Sequence, residues 1–508
     1  MKIVRNIVSG ALALGLLLPL VGSIAPAGVS AAQTATPPPP LPKNTPTPIP
    51  RSSATALPYP AYGTPAPGVS KRVANPAVPQ QITLSQAIAI AAAKSPVLAS
   101  ARAAYDLSKG QLDQSRSGIL PNVSGVGSIT HSLSGSRSST GTTGTGTGGT
   151  GSTGTLGGSF TSESLDLSLR QLIFDGGRTI SQIHSASSSY AAAANTYERS
   201  LETLAFNVAQ AYYNALQAQS ATALAAQVVR QDVVQENLVR AQISAGTEAR
   251  SNLLTAEFPT AQARVSLVRA QGTQLSALAA FANELGLDAN TDVTPKNDTP
   301  ANPTASLLKN PPLDYDTAVS RALSLRPDYL GSQRQVEAAQ YTLKAAKLGR
   351  FPSLSGSASA GTASTTPSGG NFRGSSSVGA TLTIPIFDQG ITAAQTEQAQ
   401  AQLDNANALS LNTKLGVQLN VRQALAGLIS AQAAVGQTQV ELANAQESLR
   451  ATQAQYRAGV TTLPLLLNAQ VGLTTAETDR LTAVYALRQA EQTYLYAIGE
   501  SDLSPATG

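Results

Sequence analysis

The chain has 508 residues, a net charge of +5 and 12% charged residues, about half the usual share, with no Trp and no Cys. The lack of Cys excludes disulfides, thiolate metal sites, cysteine catalysis and a lipid anchor on an N-terminal Cys. Positive residues are scattered, which excludes the basic stripe of a nucleic-acid partner, and His131 and His184 have no Cys or His neighbour, so both read as surface polar residues and no metal or cofactor is expected.

Lys2 and Arg5 precede an apolar run from Ile7 to Leu20, and Val29-Ser30-Ala31 or Ser30-Ala31-Ala32 follows it. This is the layout of a secretory signal peptide over residues 1–31. Gly10, Gly15 and Pro19 interrupt the run, which is short for a spanning helix. No later segment offers about 20 consecutive apolar residues, so the chain is expected to be exported, its signal cleaved, and to enter a membrane by strands. Residues 32–80 follow as a linker: the stretch from Gln33 to Gln80 holds fourteen prolines and few large apolar residues, and cannot build a core.

From Thr83 onward the sequence repeats itself. Ala87–Leu98 (AIAIAAAKSPVL) matches Ala318–Leu330 (AVSRALSLRPDYL) in pattern, with Pro96 over Pro327 at an offset of 231, and Leu120–Gly125 matches Phe351–Gly356 at the same offset. Leu172–Gly177 then matches Pro385–Gly390, Ala245-Gly246 matches Ala458-Gly459, and Leu285-Gly286 matches Ile498-Gly499, all at 213. The offset changes once, by 18 residues, inside the Gly/Ser/Thr-rich tract from Ser132 to Ser159. Extra length confined to one loop is what a duplicated fold tolerates. The repeats are assigned to residues 81–286 and 313–500, with a linker at 287–312 and a tail at 501–508.

Each repeat opens with a helix broken at Ser95-Pro96 or Arg326-Pro327, since proline fits the first turn of the helix that follows. That helix is predicted to end near Ser117 or Lys347, before Pro121 or Pro352. A strand pair follows. Leu165, Leu167 and Leu169 alternate with Asp166, Ser168 and Arg170 in one copy; Val378, Ala380, Leu382, Ile384 and Ile386 alternate with Gly379, Thr381 and Thr383 in the other. Period-two alternation in an exported chain describes a barrel strand with lipid on one face and water on the other. Phe160 and Phe174 bracket the first such strand and Phe372 and Phe387 the second, where their rings would meet the two membrane interfaces.

Asp175 with Gly177, and Asp388 with Gly390, are predicted to turn each strand into a helix. Residues 178–244 and 391–457 contain no Pro or turn cluster, so each predicts about 100 Å of unbroken helix. Heptads run through both: Leu201, Val208, Ala215, Thr222 and Val229, then Val421, Leu428, Val435, Leu442 and Leu449. Ala-Gly stops each long helix, and a shorter helix returns to about Leu285 or Ile498. Four strands cannot close a membrane barrel, which needs about eight, and open edges cannot face lipid. The fold class is therefore a mixed α and β membrane protein, internally duplicated, with a long α-helical barrel capped by a transmembrane β-barrel shared between protomers.

The doubled strand pair, the junctions PNVSG and PSLSG, the turns IFDGG and IFDQG, and the tips AGTEARSNLLTAE and AGVTTLPLLLNAQ together resemble the TolC-like outer-membrane efflux proteins over residues 83–500. The resemblance implies a homotrimer in outer-membrane lipid with a twelve-stranded barrel and a periplasmic tunnel. It implies a passive duct that takes substrates from a periplasmic adaptor and an inner-membrane pump or export ATPase. The adaptor-contacting and gating positions would be Gly246, Thr247, Ser251, Asn252, Leu253 and Leu254 in one tip, and Gly459, Thr461, Thr462, Leu463, Leu465, Leu466, Leu467 and Asn468 in the other. The chain departs from the family pattern there: Leu465 and Asn468 stand where acids ring the tip, and Thr461 stands for an Arg. Closure is accordingly expected from apolar and amide packing by Leu463, Leu465, Leu466, Leu467, Asn252 and Asn468. A secreted trimeric coiled-coil adhesin or structural envelope protein would share the heptads and linker, but needs no duplicated helix–strand-pair–helix unit. An enzyme would need a nucleophile–His–acid set, a metal cluster or a phosphate loop, and the glycines of Gly141–Gly158 precede no helix.

Overall fold

The computed structural model describes residues 81–133, 159–297, 314–366 and 371–500, all within one compact unit, Ser70–Gly508. The signal segment, the linker at 32–80, the Gly141–Gly158 tract, residues 298–312 and the tail at 501–508 lie outside the described residues.

The first copy runs β1 (Gln81–Ile82), α1 (Leu84–Lys94), α2 (Pro96–Ser117), β2 (Asn122–Leu133), β3 (Ser159–Phe174), α3 (Arg178–Ser244), α4 (Arg250–Glu284) and β4 (Thr294–Pro295). The second runs α5 (Tyr315–Leu325), α6 (Pro327–Lys347), β5 (Ser353–Thr366), β6 (Arg373–Thr383), α7 (Ile391–Arg457) and α8 (Leu463–Ile498). Thr83 caps α1 in a reciprocal box with Gln86, and Asp314 caps α5 through the Thr317 amide. Pro96 and Pro327 occupy the first turn of α2 and α6, where a missing N–H costs nothing. No single described helix is long and apolar enough to cross a membrane.

Two landmarks distant in sequence meet at those breaks. Gly286 ends the α4 return at φ +70°, and a Cβ there would stand 2.7 Å from the Lys94 carbonyl oxygen beside the α1–α2 break. Gly499 does the same for α8, its φ +75°, against Arg326. Around each meeting point lies a core. Ile88, Val208, Tyr212, Leu216, Phe281 and Leu285 form one; Val319, Val421, Leu425, Leu428, Leu487 and Ile498 form the other. The heptad positions Val208, Ala215, Val421, Leu428 and Val435 are buried, as knobs between α3 and α4 or α7 and α8 should be.

The strands form one antiparallel sheet ordered β2-β3-β5-β6. Its register sorts most of the side chains, with Val126 and Glu163 among the exceptions. Val123, Ile129, Leu165, Leu167, Val378 and Leu382 share one face and are all exposed, while Ser124, Ser168, Ser359 and Ser377 form a row across the other. Within that row Ser124 and Ser168 share a hydrogen bond of 2.8 Å, as do Ser359 and Ser377. β2 and β6 have unpaired outer edges within the chain.

The last strand is shorter than its alternation suggests. β6 stops at Thr383 after 11 residues, leaving Ile384, Ile386 and Phe387 beyond it. Pro385 has no N–H for the ladder, so pairing cannot pass it. Phe372 immediately precedes β6, whereas Phe387 stands four residues past its end, 84% exposed. In β3 the backbone runs from Ser159 through Phe174, and a bulge between Leu172 and Phe174 brings Phe174 opposite Leu354.

Candidate functional site: the hairpin tips and the seam between repeats

Both strand-to-helix turns use one device. Asp175 Oδ1 accepts from the Gly177 amide at 3.0 Å and Oδ2 from the Thr179 amide at 2.7 Å; Asp388 takes Gly390 at 3.1 Å and Thr392 at 2.9 Å. Gly177 and Gly390 adopt left-handed φ of 88° and 85°, which points these amides at the carboxylate. The hydroxyl and amide of Thr392 hold the Asp388 carboxyl below its ordinary range. Pro121 and Pro352 follow the ends of α2 and of the short turn after α6, where the strands begin. Gly176 is required twice over: its φ is +69°, and a Cβ would lie 2.7 Å from Phe351 Cβ. The matching residue of the second copy is Gln389, at φ 54°.

At the far ends of α3 and α7, Ala-Gly closes each helix with a Schellman pair. Gly246 and Thr247 donate to the carbonyls of Ile243 and Gln242, and Gly459 and Val460 to those of Tyr456 and Gln455. The two tips touch. Tyr456 Oη donates to Glu248 Oε1 at 3.0 Å and to Gln242 Oε1 at 3.3 Å, and Asn252 Nδ2 donates to Glu248 Oε2 at 2.5 Å. The bonds from Asn252 and Tyr456 hold the Glu248 carboxyl below its usual range; burial, reinforced by Glu248, pushes the Tyr456 phenol up to about 12.

The structure divides the tip residues. Leu463 packs with Val239 of α3 and Ala256 of α4, with Ile243, Tyr456 and Leu467 alongside. Leu463 and Leu466, expected with Leu465 and Leu467 at the closure, are 2% and 3% exposed and fill the interior of the protomer. Helical spacing is the reason: positions 463, 466, 467 and 470 fall on the side of α8 that meets α3, whereas 465 and 468 fall on the opposite side. Leu465, Asn468, Gly459 and Thr462 are exposed on that tip, and Gly246, Thr247, Ser251 and Leu254 on the other; Thr461, Leu253 and Asn252 are half-buried. Glu248 and Tyr456 were not among the residues singled out from the sequence, although an acid two residues after the helix-stopping Gly and a Tyr three before it are visible there.

A second feature has no signature in the sequence. Where α3 of the first copy meets α8 of the second, several contacts are polar. Gln470 Nε2 donates to Asp232 Oδ1 at 2.8 Å, Ser220 and Tyr485 share a bond of 2.9 Å, Gln489 Nε2 donates to Asn214 Oδ1 at 2.7 Å, and Thr203 and Tyr496 share one of 2.9 Å. These hydrogen bonds join the two repeats alongside apolar contacts, among them Leu463 on Val239 and Ala256 and the stacked rings of Phe206 and Tyr496. Between Tyr485 and Tyr496 on α8, Arg488 and Glu491 form a fully buried ion pair at 3.0 Å. Among the described residues no group of three or more His, Asp or Glu side chains could hold a metal.

A duplicated unit of two long-helix hairpins carrying one shared antiparallel sheet, with exposed apolar residues on one sheet face and hydroxyls on the other, defines a channel-type envelope protein. A model of the family described as outer membrane efflux protein matches residues 87–287 and 318–500, and the chain belongs to that family. It is an outer-membrane protein whose helices form the periplasmic portion. The outer membrane efflux protein BepC of Brucella suis is 27% identical over 345 residues, covering 65% of this chain and 72% of BepC. Outer membrane protein TolC of Escherichia coli is 25% identical over 432 residues, 80% of each chain. The crystal structure of CusC superposes with a TM-score of 0.70 at 21% identity over 85% of this chain and 99% of that one, a likeness of fold.

Proposed function

We propose that three copies of this chain form a passive duct, conducting substrates from a periplasmic adaptor and an inner-membrane pump or export ATPase to the exterior and catalysing no reaction. The observation that carries this reading is the sheet. It exposes an apolar face suited to lipid and leaves the edges of β2 and β6 unpaired, and neither edge is tolerable in lipid unless another copy completes the ladder. From Leu165 to Ile173 the apolar positions extend about 26 Å along β3, or about 20 Å of depth at a tilt near 40°, close to a membrane band. Phe174 and Phe387 would then lie at the periplasmic interface, and Phe160 and Phe372 at the outer one.

The duplication supplies the register of the missing joint. Within the chain β3 pairs β5 with Ser168 opposite Ser359. Their counterparts, displaced by 213 and 231, are Thr381 of β6 and Ser128 of β2. β6 of one copy would therefore meet β2 of the next with Thr381 opposite Ser128, both on the hydroxyl face. By the same correspondence Leu120 of the next copy would replace Phe351 beside Gln389, and the smaller side chain leaves room for a residue other than Gly. The exposed tip residues Gly246, Thr247, Ser251, Leu254, Gly459, Thr462, Leu465 and Asn468 are the surface offered to the adaptor, and Leu465 and Asn468 the pair offered to closure.

The test is native mass spectrometry of the detergent-extracted protein with single-channel recording in planar bilayers. The reading requires trimers that conduct; a monomer inserted in the bilayer, or trimers that never conduct, would overturn it.

A further inference from the structure

About 18 Å from the tips along α3, the facing sides of α3, α4 and α8 enclose a cavity of about 400 Å³. That volume lies within the usual span of small-molecule sites, about 300–1,000 Å³. Leu224, Val228, Leu467 and Val471 supply apolar wall, and of the residues lining it Asp232 alone is ionisable.

Asp232 is 8% exposed and accepts one hydrogen bond, from Gln470 at 2.8 Å. Burial alone acts on its carboxyl and pushes it up to about 6, with no nearby cation offsetting the effect. Near neutral pH the group is still largely ionised, and a buried carboxylate without a counter-charge is a costly arrangement that a bound cation would relieve. Among the described residues the other fully buried charges are matched, Arg488 by Glu491 and Arg326 by Asp328 at 2.6 Å, while the half-buried Glu477 also has its carboxyl raised by burial.

We propose that this cavity binds an organic cation, its apolar body against Leu224, Val228, Leu467 and Val471 and its ammonium paired with Asp232. An occupant would touch α3 and α4 of the first repeat and α8 of the second, and so bridge the two hairpins across their polar seam. The assignment rests on charge complementarity between one buried carboxylate and an apolar-walled space, and is independent of what the duct carries.

The full-length oligomer in nonionic detergent would be dialysed to equilibrium at pH 8 against naphthylmethylammonium or the neutral naphthylmethanol, with protein-free micelles as reference. The ammonium should bind saturably and at least about tenfold more tightly than the alcohol. Asp232→Asn, which keeps the hydrogen bond to Gln470, should bring the ammonium down to the affinity of the alcohol and leave the alcohol unchanged. Ser266→Trp, at the exposed rim, should weaken both; circular dichroism and native mass spectrometry establish that each variant is folded and assembled. Equal ammonium affinity in wild type and folded Asp232→Asn, no saturable binding to wild type, or binding untouched by folded Ser266→Trp would each overturn the assignment.

Discussion

The hydroxyl of Tyr485, on the last helix of the second repeat, lies 2.9 Å from that of Ser220 on the first long helix, and Tyr485 is 4% exposed. This bond crosses the seam between the repeats, flanked by Asp232–Gln470 toward the tips and Asn214–Gln489 on the other side. A seam of hydrogen bonds can exchange partners with water or with one another when two hairpins slide, whereas interdigitated leucines cannot. Tyr485→Phe removes the bond and keeps the ring. It should lower stability by about 1 kcal/mol, read as a modest fall in Tm. Leu428→Ala, inside the second repeat's core, should cost about 2–5 kcal/mol.

The inter-copy register can be read directly, because the chain contains no native Cys. Ser128→Cys combined with Thr381→Cys should yield a disulfide-linked trimer ladder under mild oxidation, given Cα separations near 5.5 Å for paired strand residues. Moving one partner to Gly379 should cut the yield severalfold. Equal yields from both pairs would mean that β6 and β2 do not meet in the register inherited from β3 and β5.

At the tips, Leu465 and Asn468 are exposed and uncharged, so closure should not depend on an acidic ring. The closed fraction in planar bilayers should change little between low and high salt, since an exposed ion pair contributes only about 0–1 kcal/mol and is screened. Leu465→Asp or Asn468→Asp should introduce cation preference and block by multivalent cations. Strong block of the wild type would locate an acidic ring elsewhere along the duct.

Stability should rise modestly as pH falls from about 6 toward 4, through Asp232. Burial raises the folded pKa to about 6 from an unfolded value of 3.8, so the folded state binds the extra proton in that window. The contribution is about 1–3 kcal/mol, fully present below the unfolded pKa and lost as pH rises through 6. Glu248 and Asp388 act in the opposite sense, but at lower pH: their carboxyls are held below 4.5 and 3.8 by hydrogen bonds that are lost as pH falls through those depressed values. Thermal melts at pH 5 and 7.5 should differ in wild type, and the difference should shrink in Asp232→Asn.

Shortening the Gly141–Gly158 tract should leave folding and export intact. The second copy makes the equivalent connection with 18 fewer residues, and the β2–β3 register is set by twelve paired positions from Asn122↔Arg170 to Leu133↔Ser159. Loss of the trimer after such a deletion would assign the tract a structural role.

The sequence alone determined whatever depends on local chemistry or on the duplication. The breaks at Pro96 and Pro327, the Asp–Gly turns before Arg178 and Ile391, and the stops at Gly246 and Gly459 each follow from a backbone requirement that only those residues meet. The two 67-residue helices occupy the predicted bounds because nothing within them can end a helix. β6 ends before its alternation does: the pattern continues through Ile384 and Ile386 although Pro385 cannot pair, because periodicity carries no information about hydrogen-bond donors. What only the tertiary structure decided is which face meets which neighbour. Leu463 and Leu465 are the same residue type two positions apart, yet one fills the joint between the hairpins and the other faces solvent. Asp232, Ser220 and Asn214 read as ordinary polar positions on a long helix until α8 is laid against them, because a side chain's environment is set by residues more than two hundred positions away.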